Sequence, residues 1–263
     1  MSNHYLPISV IIPCFRCRET VARALGSILN QTRLPAEILF VDDASGDGSL
    51  DLLFELAHEH EPRVRVITLD QNGGPGLARN AGWDSATQPW LAFLDADDTW
   101  HPRKLEIQWS WLESHLDAVL CGHASQLAAK AVDLEAEEMP EASRLSLISM
   151  LLSDRLPTRS VMLRRDLPFR FRNKRYSEDY LLWMEIIMAG YPAYRLESVL
   201  AFCFRPDFSP GGLSGRLWEH EKAELMALRT LREEYKLSWW VWGSATVWSF
   251  TKYLRRLWLT WRM

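Results

Sequence analysis

The sequence predicts an α/β protein built on a doubly wound, mainly parallel sheet, and three observations carry that prediction. Short β-branched runs alternate with segments of helical periodicity over the first 115 residues. The runs are continuously apolar, as in strands buried on both faces. Each gives way to Pro, Gly or acidic residues, the composition of loops at strand ends.

Ile8 to Ile12 is the first strand, ended by Pro13, and Thr20 to Asn30 the first helix, with Val21, Leu25, Ile28 and Leu29 on one side. The pattern then repeats: strand Glu37 to Val41, helix Leu50 to His60, strand Val64 to Leu69, helix Gly76 to Ser85, strand Trp90 to Leu94, helix Pro102 to His115. Such alternation implies right-handed crossovers between parallel strands. From Leu120 the regularity stops. Ala131 to Glu141 is acidic and reads as a surface loop or solvated helix. Beyond it, Leu145 to Leu152 reads as a helix, Ser160 to Leu163 as a short strand, and Glu178 to Gly190 as a helix that opens with acids and closes on Gly. Val199 to Phe204 is a last strand, and the tail from Arg216 is helical.

With 263 residues the chain can bury one good core plus an appendage. A net charge of -4 and the absence of a long Lys/Arg run argue against a nucleic-acid partner. Met1 to Pro7 has no basic segment leading into an apolar stretch, so a cytoplasmic protein is expected. Of the four cysteines, Cys14 and Cys17 have the spacing of a redox or metal pair, but no second pair follows. They read as structural free thiols.

Ligands of such sheets bind outside the carboxyl ends of the strands. Three of the four segments found there open with an acid: Asp42-Asp43, Asp70, and Asp95-Ala96-Asp97-Asp98. Clustered carboxylates repel unless a cation or donors compensate. Three acids in four residues exceed what a helix cap at Asp98 or Thr99 requires, and oxygen ligands suit Mg²⁺ or Mn²⁺ shared with substrate phosphates. Asp42-Asp43 fits a turn capped by Ser45 or Asp47 equally with an acceptor for a base N–H or ribose hydroxyl. The loop Asn72-Gly73-Gly74-Pro75-Gly76 allows close backbone approach at a helix start but lacks the P-loop Lys and the dinucleotide spacing. Arg79, one turn further, either reaches a phosphate or forms an ion pair.

Five segments together resemble family 2 of the glycosyltransferases, inverting enzymes of the GT-A fold. They are Ile8-Ser9-Val10-Ile11-Ile12-Pro13, Ser27-Ile28-Leu29-Asn30-Gln31-Thr32, Val41-Asp42-Asp43-Ala44-Ser45, Gly76-Leu77-Ala78-Arg79-Asn80-Ala81-Gly82 and Phe93-Leu94-Asp95-Ala96-Asp97-Asp98. Ser177-Glu178-Asp179-Tyr180-Leu181-Leu182-Trp183 is similar to the family's Glu-Asp motif. The resemblance implies that residues 1–115 bind a nucleotide-diphosphate sugar, most often a UDP-sugar, and that 116–215 form the acceptor side, leaving 216–263 as a Trp-rich tail. It implies that Pro13 and Phe15 line the base pocket, that Glu19 with Asp42 or Asp43 holds base and ribose, and that Arg79 sits near the nucleotide. Asp95, with Ala96 beside it, would contact the ribose end of the donor. Asp97 would ligate the metal, and Asp179 would be the catalytic base, although read without the resemblance Glu178-Asp179 are helix-start acids favoured by the dipole. Two departures stand out. Phe204-Arg205-Pro206-Asp207 replaces the family's Tyr-Arg-x-His, making Asp207 the alternative second metal ligand, and Phe15 stands where Tyr is commoner.

The expected function is transfer of a sugar to a glycan or lipid-linked acceptor in cell-surface polysaccharide synthesis. The alternatives are an inactive nucleotide-sugar-binding scaffold, or a sugar nucleotidyltransferase, which the lack of a basic glycine-rich N-terminal loop disfavours. In the tail, Trp240, Val247, Phe250, Leu254, Trp258 and Trp261 recur at three- to four-residue spacing, with Lys252, Arg255, Arg256 and Arg262 largely off that stripe. The stripe over 239–262 fits peripheral contact with an anionic membrane surface, or packing on the catalytic domain or a second subunit.

Overall fold

The computed structural model describes residues 5–128, 140–153, 155–173, 176–205 and 217–261. Most of the acidic run after Ala131, Asp207 and Arg262 lie outside them. The first half is a parallel sheet in the order β3-β2-β1-β4. Its strands are β1 (Leu6–Cys14), β2 (Pro35–Asp42), β3 (Val64–Thr68) and β4 (Trp90–Phe93). Helices α1 (Val21–Leu29), α2 (Ser49–Glu59) and α3 (Pro75–Ser85) make the crossovers, and every predicted boundary here holds to within two residues.

Pro13 does not end β1, as the sequence suggests; it pairs with Val41 inside the strand. The carbonyl of Ile11 accepts from Leu94 on the β4 side, and that of Cys14 from Asp43 on the β2 side. By this alternation the Pro13 nitrogen faces β4's side, where paired residues stop at Phe93. Its missing N–H therefore breaks no ladder bond.

Beyond β4 the sheet becomes mixed. It continues β4-β8-β6-β9-β5, with β7 also on β9. The elements are β5 (Thr99–Trp100), α4 (Lys104–Ser114), β6 (Leu120–Leu127), β7 (Ala142–Arg144), α5 (Leu147–Leu152), β8 (Met162–Arg164), α6 (Glu178–Met188) and β9 (Ala193–Cys203). β8 runs antiparallel to both β4 and β6, whereas β6 and β9 are parallel. Periodicity does not find β5 or β7, which are two and three residues long, or β6, whose sequence LCGHASQL is half polar. Two helices, α7 (Leu217–Tyr235) and α8 (Trp239–Trp261), follow.

Both faces of the sheet are covered. Ile8, Val10 and Ile12 pack with Val21, Leu25 and Ile28 of α1, Leu53 of α2 and Leu105 of α4. Ile11, Leu39 and Phe93 pack on the other face with Ala78 and Trp83 of α3 and Leu182 and Trp183 of α6. Helix α3 lies so close that a Cβ on Gly82 would stand 2.5 Å from Ile11 Cγ2 and 3.1 Å from Val41 Cγ2. Gly82→Ala is therefore expected to cost about 1–3 kcal/mol in urea denaturation through overpacking. An unchanged midpoint would show that the helix can stand off at no cost.

Candidate active site

The carboxyl rim of the parallel half collects the acids the sequence singles out. Asp42 is buried and accepts from Ser45 N at 3.2 Å and Ser45 Oγ at 2.5 Å. Ser45 Oγ in turn accepts from Arg16 N at 3.1 Å, tying the loop after β1 to the loop after β2. Asp43 is also buried. It accepts from Gly73 N at 2.7 Å, Gly74 N at 2.8 Å and Asn72 Nδ2 at 3.0 Å. The glycine loop is thus pinned by a carboxylate of its own chain, charge-assisted bonds being the stronger kind. Phe15 and Glu19 are exposed on the loop after β1, and Pro13 is half-buried beneath them.

The loop after β4 is joined to the start of α6 twice. The first link is Arg79, almost fully buried, which donates to Asp95 at 2.7 Å and to Glu178 at 3.0 Å while its guanidinium lies 5.4 Å from the Phe171 ring. Its Nε is buried without an acceptor. A Cβ on Gly76 would stand 3.0 Å from Glu178 Cγ, so the glycine lets α6 approach α3 closely enough for this pair. The second link comes from consecutive residues. Thr158 Oγ1 donates to Asp179 at 2.6 Å, and Arg159 donates to Asp98 at 3.0 Å. Asp179, half-buried, also accepts from Tyr180 N at 2.8 Å, so among the described residues each of its oxygens holds one hydrogen bond and keeps a lone pair open.

The electrostatics follow from this crowding. Burial, then the adjacent Asp179, pushes Glu178 up to about 7 against the pull of Arg79. Burial pushes Asp98 up to about 7; Arg159 opposes, and Asp95 and Asp97 add to the rise. Burial opposes the charge on Arg79, but Asp95 and Glu178 outweigh it and hold its proton more tightly than usual. Asp97 is raised by burial and by Asp95. Among the described residues no side chain donates to the Asp97 carboxylate, and the charges of Arg205 and Arg159 only partly offset the rise; Arg23 bonds its backbone oxygen instead, at 2.8 Å.

That carboxylate is the part of the rim that fits a hard cation, being oxygen-only, under-compensated and beside a second acid. No group of three His, Cys, Asp or Glu side chains suited to a metal occurs among the described residues, so Asp97 would need ligands from a bound phosphate or water. The expected alternative ligand, Asp207, lies outside the described residues. The four cysteines are free and buried, as expected for structural thiols. A cleft of ≈ 570 Å³ near Trp90, Trp109 and Arg164 sits at the amino end of β4, opposite the rim where ligands of such sheets bind.

Sequence reasoning missed Thr158 and Arg159. They precede a short strand and belong to no local pattern; only the fold brings them against acids 21 and 61 residues away. It also underused Glu178, which reads locally as a helix-start acid.

The sheet order, the acidic rim after β4 and the helical cover define a GT-A glycosyltransferase fold. The chain belongs to glycosyl transferase family 2, whose family model matches residues 9–166. It is 29% identical over 204 residues to TuaG of Bacillus subtilis (strain 168), a protein named for teichuronic acid biosynthesis, covering 76% of this chain and 80% of that one. It is 27% identical over 182 residues to the Escherichia coli UDP-Glc:alpha-D-GlcNAc-diphosphoundecaprenol beta-1,3-glucosyltransferase WfgD, covering 68% of this chain and 69% of that one. Among solved structures, S. aureus TarS 1-349 in complex with UDP-GlcNAc shares the fold with a TM-score of 0.70 at 17% identity, over 92% of this chain and 70% of that one. The mannosyltransferase PcManGT from Pyrobaculum calidifontis, in complex with GDP-Man and Mn²⁺, gives 0.66 at 15% identity, over 94% and 74%.

Proposed function

We propose that this chain is an inverting glycosyltransferase that moves a sugar from a UDP-sugar to an acceptor hydroxyl in the synthesis of a surface polysaccharide or lipid-linked glycan. The observation that carries the reading is the double link from Asp95 and Asp98 to the Glu178-Asp179 pair, which couples a donor-side rim to a carboxylate with open lone pairs. TarS supports the choice of UDP, and WfgD the choice of a lipid-linked acceptor.

In this mechanism the acceptor oxygen attacks the anomeric carbon while Asp179 takes its proton. The carbon–phosphate-oxygen bond breaks with its electron pair leaving on the nucleoside diphosphate, so the anomeric centre inverts in one displacement. Thr158 fixes the Asp179 carboxylate, and Arg79 holds α6 against the loop that contains Asp97. Phe15 and Pro13 offer apolar surface to the base, Glu19 and Asp42 acceptors for its donors, and Asp95 and Ala96 the floor beneath the ribose, while Asp43 shapes the glycine loop. A Mn²⁺ or Mg²⁺ held by Asp97 would neutralise the charge on the departing diphosphate.

Calorimetric titration of UDP, GDP and dTDP, with and without Mn²⁺, tests the donor side. UDP binding is expected to require the metal and to weaken roughly tenfold or more in Asp97→Ala. If no nucleotide bound under any condition, the donor reading would fall.

A further inference from the structure

Helix α8 exposes a large aromatic and aliphatic surface while turning part of its polar surface inward. Its inward side joins the core through Ala245, Val241 and Trp242 but also carries polar groups against α7: Lys252 pairs with Glu224 at 2.6 Å, and buried Ser249 donates to Glu221 at 3.0 Å. Its outward side is mainly apolar, interrupted by exposed Ser244 and by Thr251, whose hydroxyl bonds the Val247 carbonyl. Trp240, Val247 and Leu254 recur every seven residues and are 67%, 68% and 51% exposed. A water-facing helix on a globular protein keeps polar residues on its exposed side.

The apolar surface extends past the helix on both flanks. Trp248 Nε1 donates to the carbonyl of Leu152, itself exposed at the end of α5. On the other side Phe250 and Trp218 both meet the Tyr253 ring, and both are exposed. A contiguous patch of this kind marks an interaction surface.

We infer that the outward face of α8 docks on an anionic lipid bilayer. Charge selects that occupant. The protein has a net charge of -4, yet no Asp or Glu occurs from Trp239 to Trp261, and Arg255 projects at the edge of the stripe. An acid-free, cation-edged aromatic face complements acidic headgroups over an apolar interior. No helix among the described residues is long and apolar enough to cross a membrane, so α8 lies along the surface. This surface stands independently of the proposed transfer reaction.

Co-sedimentation of the full chain with vesicles, without substrates, tests it. Binding is expected to vesicles of equimolar phosphatidylcholine and phosphatidylglycerol, to be weaker with phosphatidylcholine alone, and to fall as salt rises. Val247→Glu combined with Leu254→Glu should weaken it roughly tenfold or more, since two exposed apolar contacts become charges. Phe54→Ser, at an exposed site on α2, should leave it unchanged. Wild-type protein that stays in the supernatant would overturn the inference. So would a double variant that sediments like wild type, or a stable dimer in the analytical ultracentrifuge that the same variant dissociates. Nucleotide titration of the variant separates this outcome from any failure of the donor site.

Discussion

Asp179→Asn is expected to keep the fold and the nucleotide affinity of the parent while losing sugar transfer by about 10²- to 10⁴-fold, the usual contribution of a positioned general base. The amide is nearly isosteric: its oxygen can keep the bond from Tyr180 N, and its nitrogen can donate to Thr158 Oγ1, whose hydroxyl then turns to accept, so the local structure has little reason to move. What the amide cannot do is take the acceptor's proton. Initial rates with a saturating UDP-sugar, compared with UDP affinity by calorimetry, separate the two effects. Transfer at the wild-type rate would remove Asp179 from the mechanism. Loss of nucleotide binding in parallel would instead make it part of the donor pocket.

Arg79→Met should produce the largest stability effect. It leaves buried Glu178, beside Asp179, and half-buried Asp95 without their shared cation, and removing one partner of a buried ion pair typically costs about 3–5 kcal/mol. The penalty should depend on pH, with a defined sign. Glu178 already has a folded value of about 7 against an ordinary 4.5, and Arg79 is the group that pulls it down. Without Arg79 the folded value moves further up. A carboxyl raised in the folded state contributes stability that is fully present below its unfolded value and is lost as pH rises through the folded one. The deficit of Arg79→Met should therefore be small near pH 5 and grow toward pH 8, measured by urea denaturation at each pH. Equal deficits at the two values would show that lost packing on Phe171, not exposed charge, sets the cost. Glu178→Gln in the Arg79→Met background should recover part of the stability at the higher pH, because it removes one uncompensated charge.

The two predictions draw on different levels of information. Asp179 is legible as a candidate because its motif resembles the family's, yet locally it cannot be told from an acid placed to suit a helix dipole. The half-buried position and the Thr158 bond give it a chemical setting. Arg79 is ambiguous in sequence between a phosphate contact and an ion pair, and the fold commits its guanidinium to two carboxylates.

The sequence by itself determined strands β1 to β4 and helices α1 to α4, and the placement of Asp42, Asp43, Asp95, Asp97 and Asp98 at strand ends, because a buried strand and its turn are written in consecutive residues. Tertiary structure alone decided what those acids meet. Arg79 reaches Glu178 across 99 positions and Arg159 reaches Asp98 across 61, pairings that depend on how helices pack and leave no periodic trace. It also decided the mixed half of the sheet, whose short or polar strands exist through pairing rather than propensity. For α8 the stripe was visible in sequence, but not whether it faced protein or solvent. That was settled where Glu221 and Glu224 of α7 hold Ser249 and Lys252 inward, leaving Trp240, Trp248 and Trp258 exposed while Trp242 packs on the core.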